Sequence, residues 1–437
     1  MSLTSLTMLA EERRWQERAL LLLAALFVLT SALTLSLALE GRIAGNHLAA
    51  PAIWLLLMGS AHGLLERYRP QRDPLLLPLY ALLSGWGLVL IDRLAPNFLW
   101  RQTVWLGLGT AVLVAVAILP YNLRVLRRYR YTWLTLGILL LVATLVFGVN
   151  PAGVGAALWL PLPFSPRIFF QPSELLKLLL IIFLASYFDQ YERTGGLREQ
   201  KGFRAHLFFL GPLLLMWGFC VLLLVWQQDL GAATLFFLSF LALLYLAAGE
   251  WRYLAAGLGL LLLAAVLGYF TFAVVELRVD AWWNPWPDAT GRAFQIVQSL
   301  YAVAAGGITG QGVGQGFPTY IPVVHSDFAF AAIAEEWGLS GSVAVVAAFA
   351  LLAHRGLRIA GRVRRPFHSY LAAGITILFA AQAFLIMAGV TKLLPLTGVT
   401  LPFVSYGGSS MLMSSLMLGL LLYLSGRQGV ASRGLRD

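Results

Sequence analysis

The chain has 437 residues, of which 59% are hydrophobic and only 12% are charged, and its mean hydropathy is +0.78. Soluble domains contain roughly 45–50% apolar and about 25% charged residues, so the composition excludes a soluble globular protein. The net charge of +11 comes from arginine clusters between apolar runs, which is typical of cytoplasmic loops rather than of a nucleic-acid surface.

Twelve apolar runs are long enough to cross a membrane, since a helix needs about 20 residues to span the hydrocarbon core. They predict an all-α integral membrane protein, a polytopic bundle of about twelve transmembrane helices. In chain order the runs lie near residues 18–40, 48–66, 74–94, 102–120, 131–149, 172–190, 205–226, 229–249, 252–275, 327–353, 368–390 and 405–425.

The positive charges indicate the orientation of these spans. With the N-terminus inside, 23 of the 31 Lys and Arg residues fall on the inner side, 7 fall outside and Lys177 lies within a span. One missed span would invert every later loop, so this bias supports both the helix count and two cytoplasmic termini.

The outer loops are longer and richer in sequence features than the inner ones. Segment 276–326 is too polar to span, and segment 150–171 shares its Trp, Pro and Gly residues. Glycines at 306, 307, 310, 312, 314 and 316 predict a tightly turning or re-entrant backbone, which is tolerated at membrane depth only when packed in protein or lining a cavity.

Ionisable residues inside spans are functional candidates by default. Glu174 and Lys177 share one helix face, and two interpretations are open: a neutralising pair that stabilises packing, or the lining of a polar cavity. Asp229 follows Gln227 at a tight turn, where it fits a helix N-cap with or without a role in a site.

Asp288 lies in the stiff turn Trp283-Asn284-Pro285-Trp286-Pro287-Asp288 of the long loop. A carboxylate held between tryptophans suits a general base, and a solvated turn residue is the alternative. The chain lacks zinc, Walker and dinucleotide motifs, which argues against ATP-driven transport by this chain alone.

Three stretches of the sequence carry a family resemblance. Residues 171–175 read QPSEL, residues 288–299 lead to His325-Ser326-Asp327-Phe328 and Glu335-Glu336-Trp337-Gly338, and residues 394–410 read LPLTGVTLPFVSYGGSS. In this order they resemble the SEDS family of cell-wall proteins, which comprises RodA, FtsW and SpoVE.

The resemblance covers residues 74–425 and implies a ten-helix membrane core with the large extracytoplasmic loop 276–326. Residues 1–73 would then form an N-terminal extension with two further transmembrane helices, and residues 426–437 a cytoplasmic tail. Lys392, Thr397-Gly398 and the two extra helices are more similar to the RodA branch than to FtsW.

The resemblance implies a peptidoglycan glycosyltransferase that polymerises lipid II into β-1,4 glycan strands on the outer face of the bacterial cytoplasmic membrane. Asp288 matches the family's loop aspartate and would be the general base that activates the acceptor GlcNAc 4-hydroxyl. A divalent cation, Mg2+ or Mn2+, would help neutralise the diphosphate, its ligands being unknown. The partner would be a class B penicillin-binding protein, a transpeptidase.

Substrate-binding candidates combine matches to the family's motifs with polar residues of the outer loops. They are Glu174, Lys177, Trp159, Gln171, Gln227, Asp229, Arg278, Gln295, Gln298, His325, Asp327, Lys392, Ser405 and Tyr406. The outer cations that would hold the diphosphate are Arg93, Arg101, Arg167, Arg278, Arg292 and Lys392. Gln228 and Ala289 replace prolines that are usual in the family, and an inactive paralogue is a further alternative.

Two functions other than glycosyl transfer are open, a lipid II flippase that would use a lipid-sized cavity and a non-catalytic scaffold. A lipid II flippase would use the buried pair but would not need a carboxylate in an outer loop, and the sequence lacks the internal repeat of many transporters. A non-catalytic scaffold that recruits the transpeptidase predicts that Asp288 is dispensable.

Overall fold

A computed structural model describes residues 3–119, 123–150, 156–162, 165–193 and 203–426. These ranges contain fifteen α-helices, which we number in chain order. They are α1 (Leu3–Glu40), α2 (Gly45–Tyr68), α3 (Leu76–Leu94), α4 (Pro96–Ile118), α5 (Arg124–Arg128), α6 (Arg130–Phe147), α7 (Pro172–Arg193), α8 (Phe203–Trp226), α9 (Leu230–Ala248), α10 (Trp251–Thr271), α11 (Ala273–Trp283), α12 (Phe294–Gly306), α13 (Ala329–Arg362), α14 (Pro366–Val390) and α15 (Gly408–Gly426).

The strands of the described residues form one short antiparallel hairpin. It consists of β1 (Leu160–Leu162) and β2 (Ser165–Phe170), with Leu160 opposite Phe170. Two 3-10 turns, Trp286–Asp288 and Pro318–Tyr320, lie in the long loop. Apart from this hairpin, the regular elements of the described residues are helices, so the prediction of an all-α fold is confirmed.

Each of the twelve predicted spans coincides with a long helix, and ten of these helices are long and apolar enough to cross a membrane. The other two are α7, which carries Glu174, Lys177 and Asp189, and α8, whose described apolar part is Leu213–Trp226. Helix α4 begins six residues before the predicted residue 102, because Pro96 at its first position has the backbone angle of a helix start.

The backbone falls into two compact units, and the first comprises residues 1–119, 281–358 and 382–437. Small residues bring its helices together: a Cβ at Gly109 of α4 would lie 2.7 Å from the Ser415 Oγ of α15. The Tyr80 hydroxyl hydrogen-bonds Thr110 at 2.9 Å and Ser415 at 3.2 Å, which satisfies these buried hydroxyls. We call the end of this unit that carries Asp288 the loop end.

The second unit comprises residues 120–280 and 359–381. Its centre is α7. Ile181 of α7 packs against Gly374 of α14, where an added Cβ would lie 2.7 Å from the Ile181 Cγ2. Asp189 at the other end of α7 pairs with Arg127 at 3.1 Å and accepts the Phe367 backbone N–H at 3.3 Å. Helix α10 is largely exposed and apolar, as expected for a lipid-facing helix.

Candidate functional site

Asp288 ends a 3-10 turn at the loop end of the first unit, and its carboxylate is exposed. Its Oδ2 accepts the Arg292 backbone N–H at 3.0 Å, which fixes the side chain over the following turn. Gly291 makes room for it, since a Cβ there would lie 2.1 Å from the Asp288 Oδ1. Trp283 and Trp286 are themselves 78% and 53% exposed, so the Asp288 carboxylate lies in an open turn, one of the two environments that the sequence left open.

Helix α12 continues from this turn and is held at several points. The Gln295 side-chain amide donates to the Pro322 carbonyl at 3.3 Å, and the buried Ser299 hydroxyl donates to the Val390 carbonyl at 3.1 Å. Just before the turn, the Trp282 indole N–H donates to the Lys392 carbonyl at 3.2 Å. These bonds place the candidates Gln295 and Lys392 in the surroundings of Asp288, and Gln298 lies half-buried on α12.

After α12 the glycine-rich segment, residues 307–316, packs on a break in α13. The break is at Gly338, whose φ of 65° and ψ of −158° are accessible essentially to glycine alone. The backbone N–H groups of Gln311 and Gly312 donate to the Glu335 and Glu336 carbonyls at 2.9 and 3.0 Å. The tightly turning backbone predicted from the glycines is therefore observed, with its polar groups paired to protein as a low-dielectric setting requires.

Two carboxylates of α13 fasten the glycine-rich segment further. Glu335 accepts the Phe317 backbone N–H at 2.6 Å. Glu336, whose side chain is fully buried, pairs with the Arg93 guanidinium of α3 at 3.0 Å, and Arg93 also donates to the Gly316 carbonyl at 2.8 Å. The predicted outer cation Arg93 therefore already has a carboxylate partner.

A cluster of three rings and one arginine lies at the same end. Phe98 of α4 stacks on Tyr406 with ring centroids 4.6 Å apart, and His325 lies 5.3 Å from Phe98 and 5.7 Å from Tyr406. The Arg101 guanidinium lies 6.0 Å from the Phe98 ring and beside the Tyr406 hydroxyl. We call these four residues the aromatic–arginine cluster.

The protonation states in this cluster follow from burial. Burial lowers the pKa of His325, which keeps the ring neutral at physiological pH with one donor and one acceptor. Burial raises the pKa of Tyr406, and the nearby Arg101 charge offsets only part of this shift. The cluster therefore offers a neutral imidazole, a protonated phenol and a guanidinium that, among the described residues, has a phenol and a ring beside it rather than a carboxylate.

The segment before α15 is clamped so that Tyr406 keeps its position. The Ser405 hydroxyl donates to the Ser326 carbonyl at 2.6 Å, and the Tyr406 backbone N–H donates to the His325 carbonyl at 2.8 Å. The buried Gln102 accepts the Gly407 N–H at 3.4 Å. Asp327 accepts the Ser326 hydroxyl at 2.7 Å, so the candidates His325, Asp327, Ser405 and Tyr406 lie in one group.

A separate polar group lies inside the second unit. The Lys177 ammonium donates to the Glu174 Oε1 at 2.7 Å, and both side chains are buried. Asp229 caps α9 by accepting the Ala232 N–H at 3.1 Å. Its Oδ2 is buried, and burial raises the pKa of Asp229, whereas a hydrogen bond with Ser173 and the charge of Lys177 each act to lower it.

Two oxygens of this group, the Glu174 Oε2 and the Asp229 Oδ2, have no hydrogen-bond partner among the described residues. Buried acceptors of this kind are costly unless a water or a ligand donates to them. The Glu174–Lys177 pair is therefore observed with one carboxylate oxygen unused among the described residues, and the N-cap interpretation of Asp229 is observed as well.

The remaining candidates of the second unit have the following contacts and exposure. Gln227 is buried and donates to the Leu141 carbonyl at 2.7 Å, and Gln171 donates to the Ser173 hydroxyl at 3.1 Å. Trp159 pairs with Val149 through two backbone hydrogen bonds, and Arg278 is half-buried on α11. The candidate cation Arg167 has a side chain outside the described part of the structure.

The described side chains do not form a protein-only metal site. In the part of the chain that the structure describes, no group of three or more His, Cys, Asp or Glu residues could hold an ion. A divalent cation would therefore need substrate oxygens as its main ligands.

Sequence reasoning missed Phe98 and Gln102. Neither belongs to a recognised motif, because their positions become meaningful only when α4 lies against residues some 300 positions away, as in the Gln102 contact with Gly407. A usable signal was their closeness to Arg101 at the start of a predicted span.

The sequence profile described as "Cell cycle protein", FtsW/RodA/SpoVE, matches residues 76–428. A peptidoglycan glycosyltransferase RodA of Mycobacterium tuberculosis is 37% identical over 94% of this chain and 90% of its own length. A probable peptidoglycan glycosyltransferase FtsW of Geobacter sulfurreducens is 37% identical over 76% of this chain and 86% of its own length.

Two solved structures share the fold. A chain from a study of polymerisation and crosslinking by a peptidoglycan synthase complex has a TM-score of 0.68 and 28% identity, over 82% of this chain and 98% of that chain. The crystal structure of the rod shape determining protein RodA of Thermus thermophilus has a TM-score of 0.58 and 27% identity, over 82% and 97%.

Proposed function

The chain belongs to the FtsW/RodA/SpoVE family and is a multi-pass membrane peptidoglycan glycosyltransferase, and we propose that it polymerises lipid II with Asp288 as general base. The observation that carries the proposal is the exposed Asp288 carboxylate, fixed by the Arg292 N–H and given space by Gly291. The larger share aligned with RodA than with FtsW supports the RodA-like branch, with a role in cell elongation or division.

In the proposed reaction, Asp288 takes the proton of the acceptor GlcNAc 4-hydroxyl. The freed oxygen attacks C1 of the donor MurNAc, the bond from C1 to the diphosphate oxygen breaks, and the configuration at C1 inverts. The proton rests on the carboxylate, and undecaprenyl diphosphate leaves. A carboxylate that activates a nucleophile opposite the leaving group is the logic of inverting glycosyl transfer.

The donor diphosphate needs positive charge, and the surroundings of Arg101 support it as one source of that charge. The candidate Arg93 is already paired with Glu336 at 3.0 Å. Arg101 is exposed, with a phenol and a ring beside it, so its charge is available to a phosphate. We assign the diphosphate to the aromatic–arginine cluster, where His325 and Tyr406 add hydrogen-bonding groups.

The polar group of Glu174, Lys177 and Asp229 would bind donor groups of a polar ligand through the two oxygens that lack a partner among the described residues. The site would face the outside of the bacterial cytoplasmic membrane, as the inner bias of the arginines predicts. The partner would be a class B penicillin-binding protein, in keeping with the peptidoglycan synthase complex among the similar structures. A divalent cation, Mg2+ or Mn2+, would bind with the diphosphate.

The test is polymerisation of purified lipid II in the presence of Mg2+, with the chain co-purified with its transpeptidase. We expect Asp288→Asn to lose at least about 100-fold in rate, because general-base catalysis supplies roughly 10²–10⁴-fold. Asp280→Asn is the matched control, since Asp280 is an exposed carboxylate eight residues earlier that accepts the Tyr269 hydroxyl at 3.1 Å.

Equal rates for Asp288→Asn and wild type would reduce Asp288 to a turn residue and exclude the proposed mechanism. An inactive wild type that binds its partner and translocates lipid II in vesicles would favour the flippase. An inactive wild type that only recruits the transpeptidase would favour the scaffold.

A second experiment tests the diphosphate assignment. Arg101→Gln should raise the concentration of undecaprenyl diphosphate needed for half-inhibition about 10–100-fold, the effect of losing a charged hydrogen bond. Arg101→Lys should keep part of the affinity, and Arg42→Gln, at an arginine already paired with Glu40, should keep all of it. Unchanged inhibition of Arg101→Gln would place the diphosphate elsewhere.

A further inference from the structure

Helices α1 and α2 form an N-terminal hairpin that precedes residue 76, where the family match begins. We propose that this hairpin is a brace for the glycine-rich segment, with His47 and Asp92 as positioning residues for the polymerase. The inference rests on the proposed function for its kinetic consequence, but its structural consequence can be measured without any activity.

The hairpin packs on α3 along both of its helices. The Trp54 indole N–H of α2 donates to the Ser84 hydroxyl at 3.3 Å. Val28 of α1 lies so close to Gly85 that a Cβ there would be 2.4 Å from its Cγ2. The Phe27 and Trp86 rings lie 4.7 Å apart, so the hairpin is a packed part of the first unit.

A buried polar link joins the hairpin to α3 at the loop end. The His47 Nδ1 lies 2.7 Å from the Asp92 Oδ2, and its Nε2 lies 3.4 Å from the Glu40 Oε1. His47 and Asp92 are 7% and 6% exposed. One imidazole therefore ties the start of α2 and the end of α1 to the last turn of α3.

Arg93, the residue after Asp92 on α3, connects α3 to the glycine-rich segment. The Arg93 guanidinium pairs with Glu336 at 3.0 Å and donates to the Gly316 carbonyl at 2.8 Å. Because Asp92 and Arg93 are adjacent, a shift of Asp92 would also shift the Arg93 guanidinium relative to these partners. The hairpin contacts the same segment directly, because a Cβ at Gly314 would lie 3.0 Å from the Ala38 Cβ of α1.

The glycine-rich segment is connected to the Asp288 turn through α12. This segment follows α12 directly, and α12 follows the Asp288 turn. Movement of residues 307–316 would therefore move α12, whose other end carries the general base. A hairpin that served only as a membrane anchor would need none of the contacts at His47, Asp92 and Ala38.

The experiment compares His47→Ala with His62→Ala in the full chain in lipid nanodiscs. His62 lies on the same helix and pairs with Glu17 at 2.9 Å and Glu66 at 3.2 Å, at the opposite end of the hairpin. Hydrogen exchange of residues 307–316 is the first readout, and the KM and kcat for lipid II polymerisation are the second.

We expect exchange in the glycine-rich segment to rise about fivefold or more in His47→Ala, with a lower kcat and an unchanged KM, and to stay unchanged in His62→Ala. Asp92→Asn, which keeps a hydrogen bond to His47, should show a smaller effect. Ala38→Leu, which wedges against Gly314 without removing a charge, should also raise exchange if His47→Ala does not fold.

Equal exchange in the two histidine variants, whether raised in both or in neither, would overturn the brace. If wild type fails to polymerise lipid II, the proposed function fails, and the exchange data still decide whether the hairpin holds the segment.

Discussion

Two carboxylates of this protein, those of Asp288 and Glu174, lie in opposite environments. Asp288 is exposed and fixed by a backbone N–H, whereas Glu174 is buried against Lys177 with one oxygen unpartnered among the described residues. An exposed base can exchange its proton with water between turnovers. A buried pair is costly to break, because removal of one partner leaves an uncompensated charge.

This contrast gives a prediction at the residue scale. Lys177→Met should destabilise the protein by about 3–5 kcal/mol, and the double variant Glu174→Gln, Lys177→Met by clearly less. Thermal unfolding in detergent measures this, with Arg18→Met as the control, since its exposed pair with Glu66 should contribute less than about 1 kcal/mol.

The activity of the same double variant separates the two interpretations of the pair. A structural pair predicts that polymerisation returns when stability returns. A cavity that contacts substrate predicts a stable protein with low activity. Equal stability of the single and double variants would contradict the buried-charge argument itself.

The element that decides the shape of the loop end is α13, whose break receives the glycine-rich segment. The break exists because Gly338 adopts a φ of 65°, and the Gly310 backbone approaches so closely that a Cβ at Gly338 would lie 2.3 Å from its nitrogen. Strain and close approach coincide at one residue, so the position has little tolerance for any side chain.

We therefore predict that Gly338→Ala destabilises the protein by about 1–3 kcal/mol and lowers polymerisation. Gly361→Ala on the same helix should be neutral or stabilising by less than about 1 kcal/mol, because that Cβ would meet no atom within 4 Å. Chemical denaturation in mixed micelles would compare the two. Similar stability and activity for both variants would show that the break is dispensable.

The whole molecule is organised by its membrane crossings. Between Thr290 and Arg364 the described chain contains α12, which at 13 residues is too short to cross, and α13, which at 34 residues is long enough. These two positions should therefore lie on opposite sides of the membrane, with the Asp288 turn outside.

Cysteine labelling tests this topology, since the sequence has a single cysteine, Cys220, which is buried. In a Cys220→Ala background, a membrane-impermeant maleimide should label Thr290→Cys in intact cells and Arg364→Cys only after lysis. Labelling of both in intact cells would contradict a crossing by α13. The reverse pattern would place the Asp288 turn inside.

The sequence alone determined the long helices. Long apolar runs can be stable only as helices in lipid, so the twelve long helices were found, whereas the short helices α5, α11 and α12 and the β-hairpin were not. The glycine cluster indicated the turning segment because few other residues adopt its backbone angles. The Glu174–Lys177 contact was also predictable, since residues three apart on a helix share a face. Boundaries such as the start of α4 were less certain, because capping residues shift a helix end without changing its apolar run.

Only the tertiary structure decided which distant residues meet. Arg93 lies 243 positions from Glu336, and Gln102 lies 305 positions from Gly407, and no local pattern encodes either contact. The exposure of Asp288 and the availability of the Arg101 charge likewise depend on where neighbouring segments pack. The physical reason is that helix formation in lipid is set by each segment's own hydrogen bonds and hydropathy, whereas a site is set by side-chain packing between segments.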